Sequence, residues 1–356
     1  MLAKLTRQLG HRTDLAPAQI ASAVQALTDD AVPAIDKADF LTALALKGET
    51  PEEIFAFVAE LRARAVPVSV PAEVRAHGVL DVVGTGGDRL GTINLSSAAA
   101  IVAAAAGVAV AKHGNRAVTS KSGSADVLQA LGLPTDLPAA AAAAMLRERG
   151  FVFLFAPLYH PAFRAIAPAR KLCADRGQRT LFDLLGPLLN PARPDFQLMG
   201  VPSPEWCEPL ARVLQLLGVL RGMVVCGEAG VRAGGQPIHL DEISSLGETT
   251  LASFHEGNPV QVSRLSPKEF PLQAARVEDL LGGDSAVNAA ILRAILTGED
   301  RGPKRDAVLL NAAGALFVAG RAASFYDGWV EAETLVDNGT VARKLAALTA
   351  PWPGTP

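Results

Sequence analysis

Cysteine is scarce in this chain, with three among 356 residues, Cys173, Cys207 and Cys226. They lack the paired spacing of a zinc site and the number needed for a disulfide framework, so they read as small buried thiols. Excess charge is lacking too: 33 Lys and Arg face 36 Asp and Glu, for a net charge of −3. That balance excludes a broadly basic nucleic-acid surface and confines any basic site to one locality. Aromatic residues, at 5%, are too few for a base-stacking platform, and no nucleic-acid partner is expected. No membrane span is expected either. The longest apolar run, Ala98 to Ala111, is mostly alanine and falls short of the roughly 20 apolar residues a span needs; it reads as a buried helix followed by a strand. The first residues, Met1 to Arg7, lead into no apolar core of a signal peptide, so a reducing cytoplasm is the expected compartment.

Hydrophobic residues make up 49%, enough for a large core in one or two domains. Residues 1 to about 70 read as helical, with helices near Pro17–Leu27 and Asp36–Leu46. A third starts at Thr50, an N-cap, with Pro51 in the first helical position and Glu53 completing a capping box. Val66 to Pro71 reads as a linker. From residue 78 strands and helices alternate: strands at 79–83, 108–111, 151–155, 196–201, 223–226 and 249–254, and helices at 94–106, 139–149, 204–217, 287–297 and 305–320. Such alternation predicts an α/β domain over about 73–350 with a mainly parallel central sheet. Helical segments near 160–175 and 180–187 interrupt it and are expected to rejoin the first 70 residues, giving a small helical domain that is discontinuous in sequence.

Two loops and an acid pair carry the chemistry. Gly84 to Asp88 is a tight turn after a strand, followed by Thr92, Asn94, Ser96 and Ser97 at a helix start. Glycines let backbone approach phosphate oxygens, and hydroxyls supply further partners. The glycine spacing fits neither a Walker loop nor a dinucleotide fingerprint, and an isolated glycine turn is often only a turn. The second loop, Lys112 to Asp126, holds the cations Lys112, Arg116 and Lys121 and the hydroxyls of Thr119, Ser120, Ser122 and Ser124. Strand, polar loop and helix start make an anion site, with Lys112 as a point charge for phosphate. In a parallel sheet both loops leave the same carboxyl edge, where ligands of such folds bind. Asp241 and Glu242 can hold Mg²⁺ together with phosphate oxygens and water. Read by pattern alone, Arg170 closes a helix begun at Phe163 as a surface cation, and His113 and His160 are hydrogen-bonded loop histidines.

Gly84-Thr-Gly-Gly-Asp88, Asn94-Leu95-Ser96-Ser97, Lys112-His113-Gly114-Asn115-Arg116, Ser120 to Asp126 and Leu240-Asp241-Glu242 resemble the anthranilate phosphoribosyltransferase family. So do His160 to Ala162, Leu184 to Pro191 and Asn311 to Ala313; the likeness runs in order from about residue 37 to 348. The resemblance implies transfer of a phosphoribosyl group from phosphoribosyl pyrophosphate (PRPP) to the amine of anthranilate in tryptophan biosynthesis, by a homodimer joined through its helical part. It implies that PRPP binds Gly84, Gly87, Asp88, Thr92, Asn94, Leu95, Ser96 and Ser97, with Lys112, His113, Gly114, Asn115, Arg116, Ala117, Val118, Thr119, Ser120 and Ser124. Ser96, Asp241 and Glu242 would hold two Mg²⁺ ions per subunit, and Gly84, Asn115 and Arg170 would bind anthranilate. Lys112, Asp241 and Glu242 are the residues implied to be catalytic. The chain departs from the family pattern in a longer link at 171–178, a glycine-rich approach at 227–239, and Asp183 where asparagine is common. A pyrimidine nucleoside phosphorylase is the second enzyme reading, disfavoured by the acid pair and by the complete run from Lys112 to Arg116. A silent relative that binds nucleic acid is the third, disfavoured by the acidic balance.

Overall fold

The computed structural model describes residues 1–88, 90–117, 121–231 and 234–352. Four helices open the chain: α1 (Leu2–Gly10), α2 (Pro17–Leu27), α3 (Ala34–Lys47) and α4 (Pro51–Arg62). The capping box of α4 is formed, with the Glu53 N–H donating to Thr50 Oγ1 (3.2 Å) and the Thr50 N–H to Glu53 Oε2 (3.0 Å). Glu53 also takes the Leu15 N–H (2.9 Å) and pairs with Lys47 (2.6 Å), which locks α2, α3 and α4 around one buried acid. α1 has no N-terminal cap from a side chain and went unread in the sequence; its stripe of Leu2, Leu5 and Leu9 holds it on α3.

The described residues then form an eight-stranded sheet: β1 (Val79–Gly84), β2 (Ala109–Gly114), β3 (Phe151–Phe155), β4 (Phe196–Gly200), β5 (Arg221–Val231), β6 (Pro237–Leu240), β7 (Thr249–His255) and β8 (Gln261–Leu265). The order is β3-β2-β1-β4-β5-β7-β8, with β6 beside the far end of β5. The strands from β3 to β5 are parallel, and β6, β7 and β8 join antiparallel. The described residues of the glycine-rich approach at 227–239 thus pair β5 with β6, the ladder shifted between Glu228 and Gly230.

β1 pairs with both β2 and β4, so the chain reverses its direction of travel across the sheet there. A crevice opens at the carboxyl ends of strands at such a switch point. Helix Leu95–Ala105 packs on this part of the sheet and against helix Pro303–Val318. It is buried nearly all round, because alanines at 98–100, 103 and 104 let both neighbours come close. No described helix is long and apolar enough to cross a membrane.

A second core joins α1–α4 to Ile166, Ala169, Cys173, the apolar residues of 181–189 and helix Cys207–Leu216. Lys37, 2% exposed, crosses this seam: its ammonium donates to Asp29 O (2.8 Å) and Ala165 O (2.9 Å). Arg62 does the same from α4, donating through Nε to Leu188 O (2.8 Å).

Candidate active site

Gly84 ends β1 opposite Gly200, which ends β4. A Cβ at Gly200 would stand 1.6 Å from Asp241 O, and one at Gly84 2.9 Å from Asp241 Oδ2. Two bare backbones at the switch point are therefore what let the turn after β6 lie across the strand ends. Asp241 uses that position to accept the Gly86 N–H (2.5 Å) and the Thr85 hydroxyl (3.3 Å) through Oδ2. Glu242 Oε1 accepts the Ser96 N–H (3.1 Å) at the start of helix Leu95–Ala105. The acid pair thus touches both the glycine loop and the helix start, which are 156 and 146 residues away in sequence.

Lys112 lies beneath them on β2. Its side chain is 1% exposed, and its ammonium donates to Val82 O (2.5 Å) and Ser96 Oγ (3.2 Å). Burial pushes its pKa down, while the charges of Asp81 and Glu242 oppose that. Asp81, fully buried in β1, accepts Asn190 Nδ2 (2.8 Å) and the His113 N–H (3.3 Å). Asn190 also donates to Ala111 O (2.7 Å), so one amide ties β1, β2 and the segment after Leu189 together. Burial raises Asp81 to about 6 against the pull of Lys112 and these hydrogen bonds.

The carboxylates crowd each other. Burial and the charge of Asp241 raise Glu242 to about 8, with Lys112 opposing, and the same two causes raise Asp88 to about 7. Acids this close resist ionising together unless a cation joins them. The donor set is oxygen only, which suits a hard cation. No group of three or more His, Cys, Asp or Glu able to hold a metal ion occurs among the described residues. Asp241, Glu242 and the Ser96 hydroxyl therefore offer a partial shell, fitting Mg²⁺, which keeps water and phosphate oxygens as its other ligands.

The second loop is held from within. Asp126 caps helix Ser124–Leu131, accepting the N–H groups of Gly123 (3.0 Å) and Ala117 (2.9 Å) and Arg116 Nη1 (3.0 Å). Arg116 further donates to Gln129 (3.0 Å) and lies over the Phe155 ring, so its guanidinium is engaged within the protein. Ser124 Oγ donates to Asn115 O (3.3 Å), and the Asn115 side chain is exposed. Gly114 sits against Ser124, and Leu95 is buried, leaving backbone to meet any ligand there. Ser97 is buried, its hydroxyl without a protein partner. Gly87 lies against Pro202. Val118, Thr119 and Ser120 lie outside the described residues.

A third segment, which sequence reasoning missed, closes this side. Thr92 bridges to Leu281, the Gly282 N–H donates to Gly91 O (2.9 Å), and Asn288 Nδ2 donates to Asn94 Oδ1 (3.1 Å). Asn94 in turn donates to Ser122 O (3.3 Å), linking the first loop to the second.

Arg170 stands within helix Ala167–Asp175, not at the end of a helix begun at Phe163; residues Pro161–Ala165 form a 3₁₀ turn that breaks the run. Its guanidinium lies 5.7 Å over the Phe182 ring. From Phe182 a ladder of ring contacts leads through Phe163 and His160 to His113 on β2, with centroid spacings of 5.5, 5.4 and 5.1 Å. The ladder connects Arg170 to the residue beside Lys112. Both histidines are neutral: burial, with the neighbouring cations, lowers His113 to about 3 and His160 to about 4. His113 Nδ1 meets Gly186 O (3.2 Å), while its Nε2 and that of His160 are buried without partners. His160 was read as an ordinary loop histidine; its position in the ladder makes it part of this wall.

A cavity of about 510 Å³ opens at the opposite, amino edge of the sheet, lined by Gly107, Val108 and Phe196 among others. It shares no residue with the loops and acids above.

Comparison with known proteins agrees with this geometry. Residues 76–342 match the a/b domain of a glycosyl transferase family and residues 3–65 its helical bundle domain. The anthranilate phosphoribosyltransferase of Rhodospirillum rubrum is 46% identical over 316 residues, 88% of this chain and 86% of that protein. That of Methylorubrum extorquens is 44% identical over 93% of each. Among solved structures, the Thermus thermophilus enzyme superposes with a TM-score of 0.85 at 40% identity, covering 97% of this chain and 98% of that one. The Saccharomyces cerevisiae enzyme in complex with PRPP and Mg superposes at 0.84 with 26% identity, covering 98% and 96%. The chain belongs to the anthranilate phosphoribosyltransferase family.

Proposed function

We propose that this chain transfers the phosphoribosyl group of PRPP to the amine of anthranilate, giving N-(5-phosphoribosyl)anthranilate and pyrophosphate for tryptophan biosynthesis. The observation that carries the reading is the meeting of Asp241, Glu242, Ser96 and Lys112 with the glycine loop at the switch point of the sheet, in a chain of this family. A Saccharomyces cerevisiae relative binds 4-fluoroanthranilate, an analogue of the acceptor, and superposes at a TM-score of 0.81.

In this reading Gly84, Gly87, Asp88, Thr92, Asn94 and Ser97 form the PRPP side of the cleft, with the second loop and Ser124 opposite. Ser96, Asp241 and Glu242 would hold two Mg²⁺ ions, which would supply charge neutralisation to the pyrophosphate. Lys112 acts from below: it fixes the Ser96 hydroxyl and balances Glu242. The bond from the sugar carbon to the pyrophosphate oxygen breaks as a bond to the acceptor's nitrogen forms, with positive charge on the ribose and negative charge on the leaving group at the crossing point. The nitrogen then gives up one proton to the released pyrophosphate. Preorganised dipoles and charges serve that step. An aromatic amine is neutral near pH 7 and its lone pair is available, so orientation matters more than a strong base. Asn115 and Gly84 face the acceptor, Arg170 takes its carboxylate as a guanidinium fork, and the wall of His113, His160 and Phe163 excludes water from it.

Closure of a body made of residues 1–70 and about 160–190 onto the α/β body would bring Arg170 to the PRPP side. A homodimer through the helical part is supported by exposed Ile35 and Leu46 on α3, and the chain is proposed to work in the cytoplasm. The test is loss of anthranilate fluorescence with PRPP, with and without Mg²⁺; no consumption under either condition sinks the assignment. Light scattering in solution decides the dimer.

A further inference from the structure

We propose that Asp183 is an internal competitor for the carboxylate of the acceptor, setting how tightly Arg170 holds it. The inference rests on the assignment of Arg170 to that carboxylate. Arg170 Nη2 lies 3.6 Å from Asp183 Oδ1, with side chains 43% and 51% exposed. The other oxygen, Oδ2, accepts the Thr180 N–H at 3.0 Å and so holds the turn that leads into the short helix beginning at Phe182. One carboxylate thus has a structural task through one oxygen and faces the guanidinium through the other. Phe182, next in the chain, supports the guanidinium from its ring face.

An arriving carboxylate has the same charge and acceptor geometry as Asp183, and two carboxylates beside one guanidinium repel each other. Binding therefore proceeds by exchange: Arg170 leaves Asp183 and closes on the substrate. Because the pair is half exposed, it is screened by water and opens at low cost, unlike a buried pair. In the free enzyme the pair keeps the guanidinium seated on Phe182.

Asp183→Asn separates the two tasks, since an amide oxygen can still accept the Thr180 N–H while the charge is gone. The expected result is a KM for anthranilate lowered about two- to fivefold, the range set by exposed ion pairs, with kcat, the KM for PRPP and the melting temperature unchanged. The same change is then made in an Arg170→Gln background and kcat/KM for anthranilate is compared. There, removal of Asp183's charge should have a much smaller effect, because the pair it belonged to no longer exists and only screened repulsion remains. A KM that stays level or rises in the single variant overturns the proposal, as does an equal gain in both backgrounds. If Arg170→Gln alone leaves the KM for anthranilate untouched, the assignment of Arg170 itself fails, a different result from the failure of Asp183.

Discussion

The ammonium of Lys112 donates to the hydroxyl of Ser96 across 3.2 Å, although it is 1% exposed itself. A buried cation and a half-buried hydroxyl at a helix start make one unit, with Asp81 on one side and Glu242 on the other. Lys112 is thus a buried partner of Ser96 and of the Val82 carbonyl, not an exposed side chain.

Lys112→Met should therefore harm both fold and function. It removes the positive charge that Asp81 and Glu242 share and releases Ser96. Losing one preorganised electrostatic partner costs about 100- to 1,000-fold in kcat, and a buried acid left alone costs several kcal/mol of stability. Steady-state assays and urea unfolding read both. A variant with intact stability and a tenth or more of the normal kcat would show that Lys112 is dispensable.

Glu242→Gln keeps the shape and its contact to the Ser96 N–H but removes a carboxylate from the proposed metal shell. Turnover should fall at least 100-fold. Mg²⁺ with PRPP should stabilise the parent protein by about 2.7 kcal/mol at 100 times the dissociation constant, and the variant by much less. Thermal shift with and without the pair of ligands is the measurement; an equal shift in both proteins would remove Glu242 from the metal site.

The buried histidines and acids should give the stability opposing dependences on pH. His113 and His160 titrate near 3 and 4 in the fold against 6.5 when unfolded, so the unfolded chain binds more protons below 6.5 and stability falls as pH falls. Asp81 works the other way: raised from 3.8 to about 6, it holds a proton in the fold between those values, and stability falls there as pH rises. Asp88 and Glu242, raised to about 7 and about 8, act as Asp81 does, so between pH 6 and 4 each histidine contributes a loss of about 1.4 kcal/mol per pH unit on acidification against an opposing gain from each buried acid. His160→Gln removes one of these losses, so the urea midpoint of the variant should rise relative to the parent progressively as pH falls from 6.5 to 4. Parallel slopes for parent and variant would contradict the neutral buried state.

The motifs were legible because each holds residue types that fit badly anywhere else: glycines before a helix start, clustered hydroxyls, adjacent acids. Strands β1 to β5 and β7 were legible as apolar runs between turns. β8 was not, because four of its five residues are exposed at the sheet edge and carry no hydrophobic signal. The last helices, Phe325–Asp337 and Thr340–Thr349, went unread, as did α1, since their packing faces are set by the sheet and helices they meet. Asp81 was visible as a lone acid in a run of valines and leucine, but its partner Asn190 is 109 residues away. The link from Asn288 to Asn94 spans 194 residues and is a product of the fold alone. Arg170 looked like a surface cation because its contacts are to a ring and to an acid on the following helix, and neither leaves a periodic trace.

Gly200→Ala isolates what the switch point contributes. The added methyl would stand 1.6 Å from Asp241 O, a backbone atom that cannot rotate away. Either β4 or the turn at Asp241 must move, and β4 is held on both sides by parallel neighbours. The turn should yield, carrying Asp241 away from Gly86 and Glu242 away from Ser96. The expected outcome is loss of most turnover and of Mg²⁺-dependent stabilisation, with a smaller drop in overall stability than Lys112→Met produces, because no buried charge is left without its partner. Activity near the parent level would mean that the turn tolerates displacement and that the close approach of Gly200 to Asp241 does not set the geometry of the acid pair.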